Sequence, residues 1–220
     1  MILCIDDLIG ADLRAMLHQA IGAASFVDGR ITAGPYAAAV KHNMQLDLTD
    51  ARYRAIHHRL AEAMFRHKLF ARAVRPRRFA GMLIGRYGEG MEYGTHFDEA
   101  VIGAARTDVS FTLFLSDPQD YEGGALVIES AGGTRSFKLP PGAAVIYPSG
   151  ALHRVERVTA GCRLVAAGWV QSLVRDPAQR EILYDLDGAA QALFEKSGKT
   201  PEFDALTKSS ANLMRMWTEL

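Results

Sequence analysis

Four residues in this sequence are of the types that could hold a redox-active metal with an organic acid beside it. Tyr93-Gly94-Thr95-His96-Phe97-Asp98 sets an imidazole and a carboxylate two positions apart. On a β-strand, residues two apart project from the same face, so His96 and Asp98 can converge on one point. One nitrogen and one oxygen donor suit a borderline ion such as ferrous iron. A His-x-Asp pair is also common by chance, and alone it reads more often as a surface pair. A second stretch, Tyr147-Pro148-Ser149-Gly150-Ala151-Leu152-His153-Arg154-Val155, brings another histidine next to a predicted strand. Two histidines and one carboxylate cover one face of an octahedral ion and leave three positions open, as an oxygenase needs for O2 and a co-substrate. A structural zinc site would instead fill all four tetrahedral positions with protein ligands.

Arg163 follows, at the start of the predicted strand Arg163-Leu164-Val165-Ala166-Ala167-Gly168-Trp169. An arginine facing inward among small and apolar neighbours is costly unless an anion meets it. A salt bridge to one of the 25 acidic residues is the plainer reading of Arg163 in isolation. With the triad upstream, the distal carboxylate of 2-oxoglutarate becomes the better partner, because guanidinium binds carboxylate in a bidentate fork.

Other reactive types carry less. His57 and His58 are adjacent on a predicted helix and point in different directions, so they cannot chelate one ion. His18, His42 and His67 have no partner at ligand spacing. Gly85-Arg86-Tyr87-Gly88-Glu89-Gly90 lacks the order and the following helix of a phosphate loop. Ser110 and Ser149 have no histidine–acid pairing that would make either a nucleophile. Cys162 points away from Arg163 by strand alternation and reads as a packed thiol.

The elements that must position these residues fall into three zones. In the first, residues 1–77, Asp6 or Asp7 can cap a helix with Leu8, Leu13, Met16, Leu17, Ala20 and Ile21 on its apolar stripe. A second helix is predicted from Thr49 or Asp50 through Phe65, with short strands at Ser25–Arg30 and Val40–Leu46 between the two. Arg75-Pro76-Arg77-Arg78 reads as a solvated loop before a strand. In the middle zone, residues 78–174, the period changes to short apolar and β-branched runs: Phe79–Tyr87, Val109–Leu115, Ala125–Ile128, Ser136–Leu139, Ala143–Tyr147 and Leu164–Val170. Turn signals separate them, which predicts an all-β sandwich or barrel. The last zone, residues 175–220, returns to helix, with Asp176 capping before Pro177 and a further helix after Pro201. The fold class is thus α+β with a mainly β core between helical flanks, and those flanks shape the entrance or an oligomer contact.

Composition sets the outer bounds. With 220 residues and 49% hydrophobic content, the chain can bury a substantial core unaided. Its 25 basic and 25 acidic residues balance, which excludes the basic footprint of a nucleic-acid binder. No segment approaches the ~20 apolar residues of a membrane span. Two distant cysteines suit a reducing, cytoplasmic compartment rather than a disulfide framework. The first residues meet acid too early for a signal peptide.

The order His-x-Asp, distant His, then a basic residue ten positions on resembles the prolyl 4-hydroxylase-type 2-oxoglutarate oxygenases. More narrowly, the stretches Tyr93–Ala100, Trp169–Asp176, Phe26–Gly34 and Lys41–Leu46 are similar to the bacterial PKHD-type hydroxylases, over nearly the whole chain. That resemblance implies a double-stranded β-helix (jelly roll), Fe(II), 2-oxoglutarate, and ascorbate to restore ferrous iron. It implies His96, Asp98 and His153 as metal ligands and Arg163 as the co-substrate anchor. Tyr87 falls near a tyrosine that touches the co-substrate in the wider superfamily, and it reads equally as a core aromatic at a strand end. Arginine stands where the animal collagen-modifying enzymes carry lysine, and Glu99 stands where an amide is common. The expected activity is hydroxylation with release of succinate and CO2. The family name suggests a prolyl or lysyl peptidyl substrate, and relatives connected with iron uptake suggest a siderophore-related small molecule. The rival readings are a non-catalytic module sensing iron or 2-oxoglutarate, and a zinc hydrolase on the same three ligands, against which Arg163 speaks.

Overall fold

The short apolar runs in the middle of the chain become two antiparallel sheets in a computed structural model, which describes residues 1–219. Across the larger sheet the strands run β1 (Leu3–Ile5), β13 (Ala144–Pro148), β9 (Val109–Phe114), β16 (Arg163–Ser172), β5 (Pro76–Tyr87), β4 (Met44–Leu46) and β2 (Phe26–Asp28). Across the smaller they run β12 (Gly133–Phe137), β11 (Leu126–Ser130), β14 (His153–Val155), β6 (Glu92–His96) and β3 (Lys41–His42). Two short ladders complete the set: β7 (Val101–Ile102) with β8 (Ala105–Arg106), and β10 (Tyr121–Gly123) with β15 (Val158–Gly161). Among the described residues the sheets do not close into a barrel.

Period-two alternation assigns each face of the large sheet to a different layer. In β9, Val109, Phe111 and Leu113 enter the core under the helices, while Ser110, Thr112 and Phe114 face the small sheet. All six are buried because both faces are covered. The same alternation in β5 sends Met82 and Ile84 to the helices, and Gly85 and Tyr87 to the space between the sheets. That space is closed at one end by Tyr87, Phe114, Tyr121, Ile128, Val145 and Val165, and it opens as a cavity at the other.

The helical layer is α1 (Ala11–Gly22), α3 (Ala51–Arg66) and α4 (Lys68–Val74), with Leu17, Ile21, Ile56, Leu60, Met64 and Phe70 buried against the large sheet. Asp50 caps α3 by accepting from the Arg52 amide, as the sequence predicts. The single-turn α2 (Pro35–Ala38) lies beside the cavity mouth. At the C-terminus, α5 (Pro177–Ser197) and α6 (Pro201–Trp217) form a hairpin pinned by the Phe194–Phe203 ring contact and by Asp187, which meets both Arg75 and Ser210. Asp176 caps α5 through the Ala178 and Gln179 amides, with Pro177 at the first helical position.

Three local expectations are corrected. Neither Asp6 nor Asp7 caps α1: Leu3–Ile5 pairs with β13, Asp7 turns the chain at φ 47°, and Gly10 precedes the helix without a side-chain cap. Leu8 is therefore buried ahead of the helix rather than on its stripe. Arg75–Arg78 is not a solvated loop. Arg75 ends α4 in the left-handed region, the strand already begins at Pro76, and Arg78 donates to Gln171 Oε1 at 2.7 Å. Val40–Leu46 is not one strand, because β3 joins the small sheet and β4 the large one. This segment crosses from one sheet to the other along one side of the cavity.

Candidate active site

The cavity between the sheets measures about 320 Å³, at the lower end for a small-molecule site. His96, at the end of β6, stands opposite His153, at the start of β14, in the antiparallel register. Asp98 lies two residues beyond β6, outside the ladder, where its amide donates to Ser149 O at 3.1 Å. Convergence with His96 thus comes from the chain turning past the strand end rather than from strand alternation. One potential ligand atom from each of His96, Asp98 and His153 lies within 4.8 Å of the other two. His153 Nε2 is 3.8 Å from Asp98 Oδ2.

The surroundings fix how these groups present themselves. Nδ1 of His96 sits 2.8 Å from Gly94 O, and Nδ1 of His153 sits 2.9 Å from Ala151 O. A proton on each Nδ1 donates to those carbonyls and leaves both Nε2 atoms as acceptors facing the shared point. The Tyr93 ring stacks on His96 with centroids 3.6 Å apart. Ser110 Oγ donates to Asp98 Oδ2 at 2.6 Å and lies 2.8 Å from Ser149 Oγ, which then donates to it. Both serines, unfit as nucleophiles, thereby orient the carboxylate. Ser110→Ala is expected to weaken metal binding roughly 10- to 100-fold, the usual effect of losing such an outer partner, as read by equilibrium dialysis against iron.

Burial, reinforced by the charge of His153, pushes the His96 pKa down to about 3. A histidine whose folded value lies below its unfolded 6.5 takes up fewer protons folded than unfolded between those values. Its contribution to stability is therefore present above 6.5 and is lost as pH falls toward about 3. The metal-free protein should show a falling urea midpoint as the pH drops through that window, and His96→Gln should flatten that dependence.

Arg163 opens β16 directly opposite Tyr87 at the end of β5. It is 1% exposed, and among the described residues none of its three guanidinium nitrogens has a hydrogen-bond partner. Its Cζ lies 5.0 Å from the Tyr87 ring centroid and 5.6 Å from that of Phe114. Burial lowers its pKa, and the Tyr87, Tyr121 and Tyr147 hydroxyls oppose that shift. Gly124, at φ 64°, packs so closely that a Cβ there would lie 3.1 Å from Arg163 Cδ. Triad and guanidinium line one cavity, and Tyr87 lines it with them.

Cys162 does turn away from Arg163, but it is exposed rather than packed, because it sits in the turn entering β16 after Gly161 at φ 76°. The remaining histidines stay outside the cavity: His18 meets Leu115 O at 2.7 Å, His67 caps α4, and His57 packs between Tyr53 and Phe79. No residue of α5 or α6 lines the cavity, so those helices do not shape its entrance. The lining that sequence reasoning missed comes from Lys41, Asn43 and Gln45. Their only sequence signal was their placement at every second position of Lys41-His42-Asn43-Met44-Gln45, which puts three polar side chains on one face of an extended chain.

Comparison with known proteins agrees with this geometry. Residues 82–171 match the 2OG-Fe(II) oxygenase superfamily, and residues 177–219 match the PKHD-type hydroxylase C-terminal domain. A PKHD-type hydroxylase of Acaryochloris marina is 52% identical over 219 residues, with 100% of each chain covered. Among solved structures, a prolyl-4-hydroxylase of Pseudomonas putida superposes with a TM-score of 0.53 at 23% identity, covering 78% of this chain and 92% of that one. HygX of Streptomyces hygroscopicus, solved with nickel and 2-oxoglutarate bound, superposes with a TM-score of 0.56 at 15% identity, covering 79% and 84%. These neighbours share the fold, and the full-length relatives fix the lineage. The chain belongs to the PKHD-type hydroxylases of the 2OG-Fe(II) oxygenase superfamily, enzymes that hydroxylate with Fe(II) and 2-oxoglutarate.

Proposed function

We propose that His96, Asp98 and His153 hold the ferrous iron of this hydroxylase, and that Arg163 anchors 2-oxoglutarate by its distal carboxylate with Tyr87 alongside. The observation that carries the reading is the Arg163 guanidinium: fully buried, without a hydrogen-bond partner, in the same cavity as the triad. A buried cation of that kind needs an anion that the protein does not supply. The donor set also fits, since two imidazoles and one carboxylate suit iron and leave open positions.

When bound, iron and 2-oxoglutarate supply the oxidising power, consuming O2 and releasing succinate and CO2 as the substrate gains a hydroxyl. The chain's own share is positioning and exclusion of water. Ser110 and Ser149 hold the Asp98 carboxylate, the Gly94 and Ala151 carbonyls fix the imidazoles, and Tyr87 and Phe114 wall the guanidinium in an apolar pocket. Ascorbate is proposed as the reductant that returns oxidised iron to the ferrous state. The two facing antiparallel sheets are read as a double-stranded β-helix over residues 78–174, flanked by residues 1–77 and 175–220. A cytoplasmic setting suits ferrous iron and two unpaired cysteines. The substrate is a peptidyl group or a siderophore-related small molecule. Purified protein supplied with iron, ascorbate and 2-oxoglutarate should form succinate, faster when cell extract provides substrate; no succinate under either condition would overturn the reading.

A further inference from the structure

We infer that the β3–β4 crossing is the substrate-recognition wall of this hydroxylase, and that Lys41 on it binds a carboxylate of a small organic acid. The inference rests on the placement of iron at the triad and of 2-oxoglutarate at Arg163. Lys41, Asn43 and Gln45 are 5%, 6% and 1% exposed, and all three line the cavity, while the alternate residues His42 and Met44 turn outward. Lys41 stands opposite Tyr93 in the ladder, with its Nζ 5.2 Å from the centroid of the ring that stacks on His96. This places the ammonium one aromatic ring away from the triad. Gln45 stands opposite Gly85, two residues before Tyr87. The wall therefore spans from the metal side to the co-substrate side.

Its polar groups are only partly satisfied within the protein. Among the described residues Lys41 makes no ion pair, Asp98 and Asp28 act on it only from a distance, and its one hydrogen bond goes to Thr32 Oγ1 at 3.3 Å. Thr32 Oγ1 lies 2.7 Å from Gln45 Oε1, which orients that amide and leaves its Nε2 a buried donor without an acceptor. Asn43 Oδ1 is likewise buried and unpartnered, and Gly29 packs so tightly on it that a Cβ there would lie 1.9 Å away. A buried lysine with a structural purpose would be paired, and an unneeded one would be better replaced by an apolar residue. Lys41 and Gln45 offer donors to a carboxylate, while the Asn43 oxygen faces Gly29 and the amide nitrogen lies toward Gly85. Gly81, Leu83, Ile102 and Trp169 supply apolar walls for the rest of the molecule. Since co-substrate and substrate share about 320 Å³, the part of the substrate that enters the cavity is small.

The test uses protein loaded with manganese in place of iron and saturated with 2-oxoglutarate, so that binding is read without turnover. Butanoate and 3-phenylpropanoate are each compared with their own primary amides by ligand-observed NMR. The acids should bind at least about tenfold tighter than the amides. Lys41→Met and Gln45→Glu should each erase that preference, and Lys41→Arg should keep it. Equal binding of acids and amides by the unaltered protein, no binding of either acid, or a preference that persists in Lys41→Met would overturn the inference. So would a loss of 2-oxoglutarate affinity in Lys41→Met matching that of Arg163→Met, which would make Lys41 part of the co-substrate site. Failure of the underlying reading has a separate signature, because Arg163→Met would then bind 2-oxoglutarate as well as the unaltered protein does.

Discussion

Arg163→Met is expected to lose 2-oxoglutarate binding by a factor of about 100 or more while the protein stays folded and becomes no less stable. The first half follows from the bidentate fork: two charge-assisted hydrogen bonds, each contributing about 1.5–3 kcal/mol, disappear together. The second half follows from the guanidinium being 1% exposed and without a hydrogen-bond partner. Methionine is apolar and flexible, and although shorter than arginine it fills part of the space between Tyr87 and Phe114 without a buried charge. Calorimetric titration of 2-oxoglutarate and thermal unfolding of the ligand-free protein read the two halves separately. A structural arginine behaves in the opposite way, since breaking a buried ion pair costs about 3–5 kcal/mol of stability. A marked fall in melting temperature with affinity unchanged would therefore refute the assignment.

The second large effect is expected at Asp98. Asp98→Ala removes the one carboxylate among the three converging groups and should abolish iron retention, and with it more than about 99.9% of succinate formation. Asp98→Glu should rescue little. The side chain is held at a fixed reach by Ser110 at 2.6 Å and by its own amide on Ser149 O, and one added methylene displaces the oxygen from that position. His58→Ala, outside the cavity, is the matched control and should retain iron and turnover. Iron content after gel filtration, measured alongside succinate formation, distinguishes a lost ligand from a lost fold.

The grouping of these residues in one candidate site was legible before any coordinates, and the reasons are local. His96, Asp98, His153 and Arg163 could be read because their chemistry is costly to bury without a purpose and because each sits at or just past a strand end, where a short motif fixes direction. The strands β9 and β16 were equally plain, since their apolar runs are long and bounded by turn residues. Less legible were features that depend on long-range pairing. β1 is three residues long and exists only because β13 offers it an edge, so Asp6 and Asp7 looked like helix caps. The roles of Ser110 and Ser149 follow from a pairing of β9 with β13 that brings Ser110 opposite Tyr147, two residues before Ser149. The Val40–Leu46 run read as one strand because no glycine or proline interrupts it, although the chain changes sheets at Asn43. That change of sheet turns three ordinary polar residues into one wall of the cavity.

One cavity is expected to bind one ferrous ion through His96, Asp98 and His153 and one 2-oxoglutarate through Arg163. Chelation of ferrous iron by a 2-oxo acid produces a visible charge-transfer absorption that neither component gives alone. An anaerobic titration of the purified protein should develop that band and saturate at one iron and one 2-oxoglutarate per chain. Asp98→Ala should give no band, and Arg163→Met should give one only at far higher 2-oxoglutarate concentration. A band of full intensity in Asp98→Ala, or none in the unaltered protein, would contradict the account.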